Sequence, residues 1–291
     1  MCTHPYKQSG GNSIVASWVG RKIMSVLKNY RTIAATEFEQ NFMMFYKETH
    51  RLLNKVPKRR RLYVSDPIAK TTNSILEDIL IISDLLFATD DTSKERRTVC
   101  VKRAIDKILS LEKQMMVYSN VMQMEFEKES RWVKLLNDEI DYLNEKLLTE
   151  EDICQCYVQV LDWRKINQFK VLKEMCDLHR FVHSKVVRAK GELDNLETPL
   201  IIKYIDDALY YIIKANTIIV EDNNSYEKRM SYSKAALNSL KRIQRPILLF
   251  FNIMQYSDEV QKEWGAKLAT EMKLLMGYIK SDRQRYKDYA K

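Results

Sequence analysis

Glycine and proline are scarce in this chain, which has six glycines and five prolines among 291 residues. Both residues interrupt helices, and folds with many tight turns use them freely. The stretches between them are rich in Lys, Glu, Leu, Met and Ala, which are strong helix formers. The sequence therefore predicts an all-α fold with long helices and short connections.

Cysteines and long apolar runs are also few. The cysteines number five, an odd count whose spacing fits no disulfide framework, and no signal peptide with a cleavage site is evident. No apolar run approaches the roughly 18 residues that a membrane span needs. We therefore expect a cytoplasmic protein that does not enter a membrane.

Motifs that carry enzymatic chemistry are missing. The sequence has no Gly-rich phosphate loop, no nucleophile elbow, no HExxH and no Glu-x-x-His pair. The sequence therefore predicts a protein that is not an enzyme and holds no cofactor. An enzyme whose site is assembled between subunits is the less favoured alternative.

One group of residues has metal-ligand chemistry. Cys176, His179 and His183 lie at i, i+3 and i+7, on one face of a predicted helix, where they could bind zinc. No fourth ligand is evident, so packing positions inside a helical bundle are favoured over a metal site. Paired acidic residues in two predicted helices favour salt bridges or a solvated face; they are Glu77, Asp78, Asp206 and Asp207.

Positive charge is concentrated at the start of the chain. Residues 1–62 contain 12 Lys and Arg against three Asp and Glu, which accounts for the whole net charge of +9. Such a localised excess is typical of a surface that faces a polyanion. The candidate nucleic-acid-binding residues are Arg21, Lys22, Lys28, Arg31, Arg51, Lys55, Lys58, Arg59, Arg60 and Arg61. The alternative is a basic loop that is merely solvated.

Helical periodicity divides the chain into three parts. Residues 1–34 contain a polar lead and a basic amphipathic helix from Ser13 to Ile33, and residues 35–148 form a first antiparallel four-helix bundle. Residues 149–291 form a second bundle. In the first bundle, Asp66-Pro67 predicts a helix start. In the second, residues 149–152 resemble a capping box and predict a helix that runs toward Lys190.

The two predicted bundles are related by an internal repeat. A constant shift of 132 residues aligns Asp66-Pro67 with Thr198-Pro199, the turn 88–97 with 220–229, and Trp132 with Trp264. Upstream, a shift of 129 places His50-Arg51 on His179-Arg180. A single shift that matches caps, a turn and a rare Trp indicates two tandem copies of one unit.

The first unit resembles a known family. Its first helix ends in H-R-L-L and is followed by V-P-K-R-R-R, a short polar stretch, D-P-I and an amphipathic second helix. This pattern is similar to the small four-helix bundles that include the accessory variability determinant proteins of diversity-generating retroelements and the proteins encoded in ribosomal-RNA intervening sequences. The resemblance covers roughly residues 36–148 and, more weakly, the second unit. It implies a basic oligomeric ring that binds nucleic acid and associates with a reverse transcriptase.

Two functions are therefore open at this point. The first is a nucleic-acid-binding accessory protein of a diversity-generating retroelement, a homo-oligomer that docks a reverse transcriptase and its RNA or DNA. The second is a helical scaffold that acts through protein contacts alone. Salt dependence separates them, because phosphate contacts weaken steeply as salt rises.

Overall fold

The structure, a computed structural model, describes residues 37–148, 152–160, 162, 168–188 and 197–289. Every regular element within these ranges is helical, which confirms the all-α prediction. The predicted N-terminal helix, with its candidates Arg21, Lys22, Lys28 and Arg31, lies outside the described residues.

Four helices surround the first hydrophobic core. They are α1 (Glu37–Leu53), α2 (Arg61–Asp84), α3 (Asp91–Met122) and α4 (Phe126–Leu147). Helix α1 packs against α2 and α4, and α3 packs against the same two helices. Phe42, Phe45 and Trp132 are fully buried between them, so large aromatic side chains fill this core.

Five helices surround a second, separate core. They are α5 (Lys170–Val186), α6 (Glu197–Thr217), α7 (Asn223–Arg242), α8 (Gln244–Met254) and α9 (Asp258–Arg285). Helix α6 packs against α5 and α7, while α9 closes the arrangement against the same two helices. Helix α8 follows α7 after a break at Ile243, and Pro246 lies in its first turn. Trp264, Phe250 and Phe251 form an aromatic cluster in this core.

The predicted helix start at Asp66-Pro67 is wrong. Helix α2 begins at Arg61, directly after a 3₁₀ turn at Lys58–Arg60, and Pro67 lies inside it. Proline has no N–H to donate to the carbonyl four residues earlier, which normally breaks a helix. Here Val64 and Ile68 are buried on either side of Pro67, so packing of the apolar face holds the helical backbone.

The helix predicted to run from residue 149 toward Lys190 is also wrong in its first part. Residues 153–160, which we call the strap, are not helical, and α5 begins only at Lys170. Two asparagines of α4 bind the strap backbone through both amide atoms. Asn144 pairs with the N–H and C=O of Cys154, and Asn137 pairs with those of Val158, at 2.8 to 3.0 Å. These bonds replace the backbone bonds of a helix.

Local backbone features recur 132 residues apart. Gln123 and Gln255 both have a left-handed backbone at a helix end, with φ of 51° and 50°. Asp90 and Asp222 both cap a helix by accepting the N–H of the serine three residues later. From the turn onward, the sequence repeat therefore has a counterpart in local structure.

The predicted shift does not hold in the earlier helices. A shift of 129 pairs His50 with His179, but His50 is exposed and His179 is fully buried. A shift of 130 instead superposes buried residues on buried residues; the pairs are Phe42 with Leu172, Phe45 with Met175, Thr49 with His179, Leu52 with Val182 and Val56 with Val186. In α2 and α6 the shift of 132 pairs buried Ile75 with Asp207, so it fails there too.

Candidate functional site

The basic candidate residues lie on the tight connection between α1 and α2. Lys58, Arg59 and Arg60 form the 3₁₀ turn, and Arg61 opens α2. Arg60 donates from Nη1 to the carbonyl of Val121 at 3.1 Å, and Arg61 donates from Nε to the carbonyl of Val56 at 3.4 Å. The first of these bonds ties the turn to the C-terminal end of α3, where helix carbonyls lack partners. The connection is therefore anchored.

The remaining candidates differ in whether their side chains form ion pairs. Arg51 is paired with Glu48, from Nε to Oε2 at 2.9 Å, so its charge is partly neutralised within α1. Lys55, Lys58 and Arg59 are exposed, and none has an ion pair in the part of the chain that the structure describes. Three free cations thus project from one short connection.

The second half of the chain adds positive charge at the same place. A polar cavity of about 490 Å³ is lined by Arg60 and the end of α3 on one side, and by Arg180, Phe181 and Ser184 of α5 on the other. Burial, together with the nearby charges of Arg59 and Arg188, lowers the pKa of Arg60. We call Lys58, Arg59, Arg60, Arg180 and Arg188 the basic surface.

Sequence reasoning missed Arg180 and Arg188 as members of this surface. The second copy has no run of consecutive basic residues at this position, so charge patterning alone does not point to it. The signal was present in V-V-R-A-K at residues 186–190, but only the packing of α5 against α3 places Arg188 close to Arg60. Such a contact joins residues more than a hundred positions apart, and helical periodicity carries no information about it.

A buried histidine cluster lies close to this surface. His179 and His183 of α5 both point Nε2 at Oδ1 of Asp206 on α6, at 2.9 and 2.7 Å. Ligand atoms of these three residues lie within 4.8 Å of one another, so they are the group in the described residues that could hold a metal ion. Cys176 is not part of this group. Burial raises the pKa of its thiol to about 12, which keeps it protonated.

Hydrogen bonds occupy most of the ligand atoms of this cluster, and Nδ1 of His183 is the one imidazole nitrogen in it without a partner among the described residues. Asn120 of α3 donates from Nδ2 to the carbonyl of Cys176, and its Oδ1 accepts from Arg180. The Asn120 amide therefore presents Nδ2 to Nδ1 of His179, which places the His179 proton on Nε2, facing Asp206. The arrangement is a polar network that joins α3, α5 and α6.

The protonation states of the cluster follow from burial and from its internal bonds. Burial, together with the neighbouring His183, lowers the pKa of His179 to about 4. Burial alone would raise the pKa of Asp206, but the charge and hydrogen bonds of the two histidines lower it to about 2. At neutral pH the cluster is a carboxylate that accepts two N–H bonds, which satisfies its buried charge.

One member of each predicted acidic pair forms salt bridges between helices, namely Asp78 and Asp207. Asp78, almost fully buried in α2, pairs with Arg103 and Lys107 of α3. Asp207 of α6 pairs with Lys113 of α3, across the boundary between the two cores. Glu112 of α3 pairs with Lys214 of α6 in the same way. One face of α3 is thus joined to the second half of the chain by charged groups.

The two sites differ in the groups that they offer to a ligand. In the described residues, the basic surface offers the exposed cations of Lys58, Arg59 and Arg188, while Arg180 is paired with Asp177. In the buried cluster, both Nε2 atoms and Nδ1 of His179 are hydrogen-bonded, and Nδ1 of His183 has no partner. None of the described helices combines the length and the apolar character needed to span a bilayer. Comparison with family models, with curated proteins and with solved structures finds no match for this chain.

Proposed function

We propose that this protein binds a nucleic acid through the basic surface. The observation that carries the proposal is that cations from two distant segments, residues 58–60 and Arg188, lie close enough for Arg59 and Arg188 to act on the charge of Arg60, which lines the polar cavity. None of these four side chains has an ion pair within the described residues. Like charges held together repel one another, which is unfavourable unless an anion binds between them. A phosphate backbone supplies such anions at regular spacing.

We propose also that the chain is built of two tandem antiparallel four-helix bundles. Around the first core, α1 and α3 each pack against α2 and α4. Around the second core, α6 and α9 each pack against α5 and α7, and α8 continues α7. In both cores the helices therefore form a closed ring of four positions. The paired caps and left-handed glutamines 132 residues apart support a common unit. In such a pair, the basic surface lies where the two units meet.

The resemblance to retroelement accessory proteins extends the proposal to partners. It rests on V-P-K-R-R-R and on the D-P-I that follows, and the first of these is the segment that forms the basic surface. We therefore propose that the nucleic acid belongs to a diversity-generating retroelement and that the protein also docks its reverse transcriptase and assembles with copies of itself.

Salt dependence provides the test. If Lys58, Arg59, Arg60 and Arg188 each contact one phosphate, affinity for single-stranded RNA should fall about 50-fold between roughly 50 and 200 mM salt. The variant Lys58→Gln/Arg59→Gln removes two of these contacts and should reduce the fall to about sevenfold. Both side chains are exposed and free of ion pairs, so the variant should fold normally.

A matched control separates this surface from general basicity. Lys280→Gln/Arg283→Gln removes the same charge from exposed positions of α9 and should leave both the affinity and its salt slope unchanged. Fluorescence anisotropy with labelled RNA and duplex DNA measures both quantities. Absence of binding by the unmodified protein, or binding that ignores salt, would refute the proposal.

A second function is a helical adaptor that acts through protein contacts. The observation in its favour is an open apolar groove between α8 and α9 that shares no residue with the polar cavity of the basic surface. This function does not require a nucleic acid, and the groove is tested separately below.

A further inference from the structure

An apolar groove of about 650 Å³ runs between α8 and α9 on the second core. Its floor includes Phe251, Trp264 and Leu268, and its sides include Leu248 and Met276. Leu248 is 58% exposed and Met276 is 49% exposed, which is unusual for large apolar side chains that lie beside each other.

The corresponding groove on the first core is covered by the chain itself. Three of the residues that line the groove are Gln244, Ala269 and Met276. In the repeat, the residues that correspond to them 132 positions earlier are Glu112, Asn137 and Asn144. Those three side chains bind the strap, because both asparagines pair with its backbone and Glu112 accepts the N–H of Gln159 at 2.9 Å. The structure therefore shows a ligand, the strap, at the equivalent place.

The open groove cannot hold an extended segment in the same way. Ala269 and Met276 have no groups that could pair with backbone N–H and C=O, and unpaired backbone groups are costly when buried. The amide-bearing side chains that line the groove, Gln244 and Gln261, lie outside these two positions. An α-helix, which satisfies its own backbone, therefore suits this groove better than an extended segment does. An amphipathic helix in an apolar groove is a recurrent mode of recognition.

Gly265 adds an independent observation. It lies in the middle of α9 and lines the groove, where glycine costs about 1 kcal/mol of helix stability relative to alanine. No atom lies within 4 Å of the position that its Cβ would occupy, so nothing in the described chain requires the small residue. A helix packed on Gly265 and Ala269 could approach α9 closely.

The charges around the groove favour an acidic occupant. Helix α8 contains no acidic residue, and its one charged side chain is Arg245. On α9, Lys262 lines the groove, and exposed Lys273 lies one turn from both Ala269 and Met276. The acidic Asp258 and Glu259 lie in the first turn of α9, before the residues that line the groove, so positive charge predominates along its length. A second copy of the chain presents the same positive rim, and the basic segment 13–33 is also positive. Neither complements the groove as well as negative charge does.

We propose that the groove between α8 and α9 binds an amphipathic helix of a partner protein, with apolar side chains at i, i+3, i+4 and i+7 and acidic side chains along its flanks. The proposal does not rest on nucleic-acid binding, because the groove and the basic surface share no residue.

The test uses two stapled, labelled amphipathic peptides of about 18 residues, a length whose helix needs support in water. Both carry Leu on the apolar face, and they differ only in having Glu or Lys along the flanks. The full chain should bind the Glu peptide saturably, and at least about tenfold more tightly than the Lys peptide. Fluorescence anisotropy at low and moderate salt provides the measurement.

Two glycines of the same helix provide the matched variants. Gly265→Leu fills the groove and should weaken binding about tenfold or more. Gly277→Leu makes the same change where the space is equally open but outside the groove, and should leave binding unchanged. The double variant Ala269→Asn/Met276→Asn recreates the strap-binding residues and should gain affinity for a peptide with the sequence of residues 152–160.

Several outcomes would overturn the proposal. The first is no binding of the Glu peptide near about 0.5 mM, where even a weak helix–groove contact is half-saturated. The second is equal affinity for the Glu and Lys peptides. The third is an equal loss of peptide affinity in Gly265→Leu and Gly277→Leu. A dimer that dissociates in Gly265→Leu would instead identify a second copy of the chain as the occupant.

Discussion

Glu271 of α9 should make the second core less stable as pH rises. Its side chain is 1% exposed, and neither carboxyl oxygen has a hydrogen-bond partner in the described residues. Burial, with a contribution from Glu174, raises its pKa from 4.5 to about 8. Between pH 4.5 and about pH 8, the folded protein therefore keeps a proton on Glu271 that the unfolded chain has released. The free energy of unfolding must fall as pH rises through this range.

The size of the effect follows from the two pKa values. Between about pH 5 and about pH 8, the linkage relation gives a loss of roughly 3 kcal/mol from this one group. Glu271→Met keeps the length of the side chain and removes the ionisable group, so the share of the pH dependence that Glu271 contributes should disappear. Burial also raises the pKa of Glu139 in the first core well above its ordinary value, and that contribution should remain. The variant should be more stable than the unmodified protein by a similar amount near the upper end of the range.

The equivalent residue of the first core is the matched control. Glu139 is equally buried, but its Oε2 accepts a hydrogen bond from Nδ2 of Asn41 at 2.8 Å. At the shift of 130, Val171 takes the position of Asn41, which explains why Glu271 has no such donor. Glu139→Met breaks that hydrogen bond, at a cost of about 1 kcal/mol or more. Its gain in stability near pH 8 should therefore be smaller than that of Glu271→Met.

Urea unfolding followed by circular dichroism at several pH values measures all three proteins. The reasoning is refuted if Glu271→Met retains the full pH dependence of the unmodified protein. It is refuted equally if Glu271→Met is destabilised near pH 8.

Two further predictions concern the backbone. Gln255 holds a left-handed backbone conformation that glycine adopts without strain. Gln255→Gly should therefore stabilise the protein by about 0.5 kcal/mol, and Gln255→Val should destabilise it by more than about 1 kcal/mol. Urea unfolding measures both changes, and equal effects of the two variants would contradict the prediction. Asn144→Ala removes both bonds to the backbone of Cys154 and should cost about 1–3 kcal/mol. It should also speed labelling of the half-buried Cys154 by a thiol reagent, with Asn137→Ala, further along the strap, having the smaller effect on that rate.

Much of the helical framework was predictable because periodicity and caps act locally. The end of α3 at Met122, the start of α4 at Phe126 and the start of α9 near Ser257 follow from apolar spacing and turn residues. Pro67 misled the prediction because its local preference was overridden by burial of its neighbours on both sides. The strap was predicted to be helical because its own sequence does not show the side chains that hold its backbone, which lie on α3 and α4.

The register of the repeat shows where sequence comparison of helices stops. Shifts of 129, 130 and 132 all preserve some apolar pairing, because an α-helix repeats every 3.6 residues. Only burial distinguishes them, and it pairs Thr49 rather than His50 with His179. This correction explains another difference between the cores. Thr49 accepts the indole N–H of Trp132, while His179 faces Asp206, so the indole nitrogen of Trp264 has no partner in the described residues.

The candidate sites were predictable only in part. The basic connection was recognisable from four consecutive cations, but the contribution of Arg188 depends on how α5 meets α3. Asp206 was recognised as one member of an acidic pair, although its contact with the two histidines requires α5 and α6 to lie side by side.

The strap also limits how many partners one chain can hold. A chain with two open grooves could be bridged at both ends, and successive bridges would extend without closing. Here one groove is filled by residues of the same molecule, at an effective concentration that no separate helix can match. Within the part of the chain that the structure describes, the proposed contact therefore has a valency of one, and an assembly that uses it would end after a single addition.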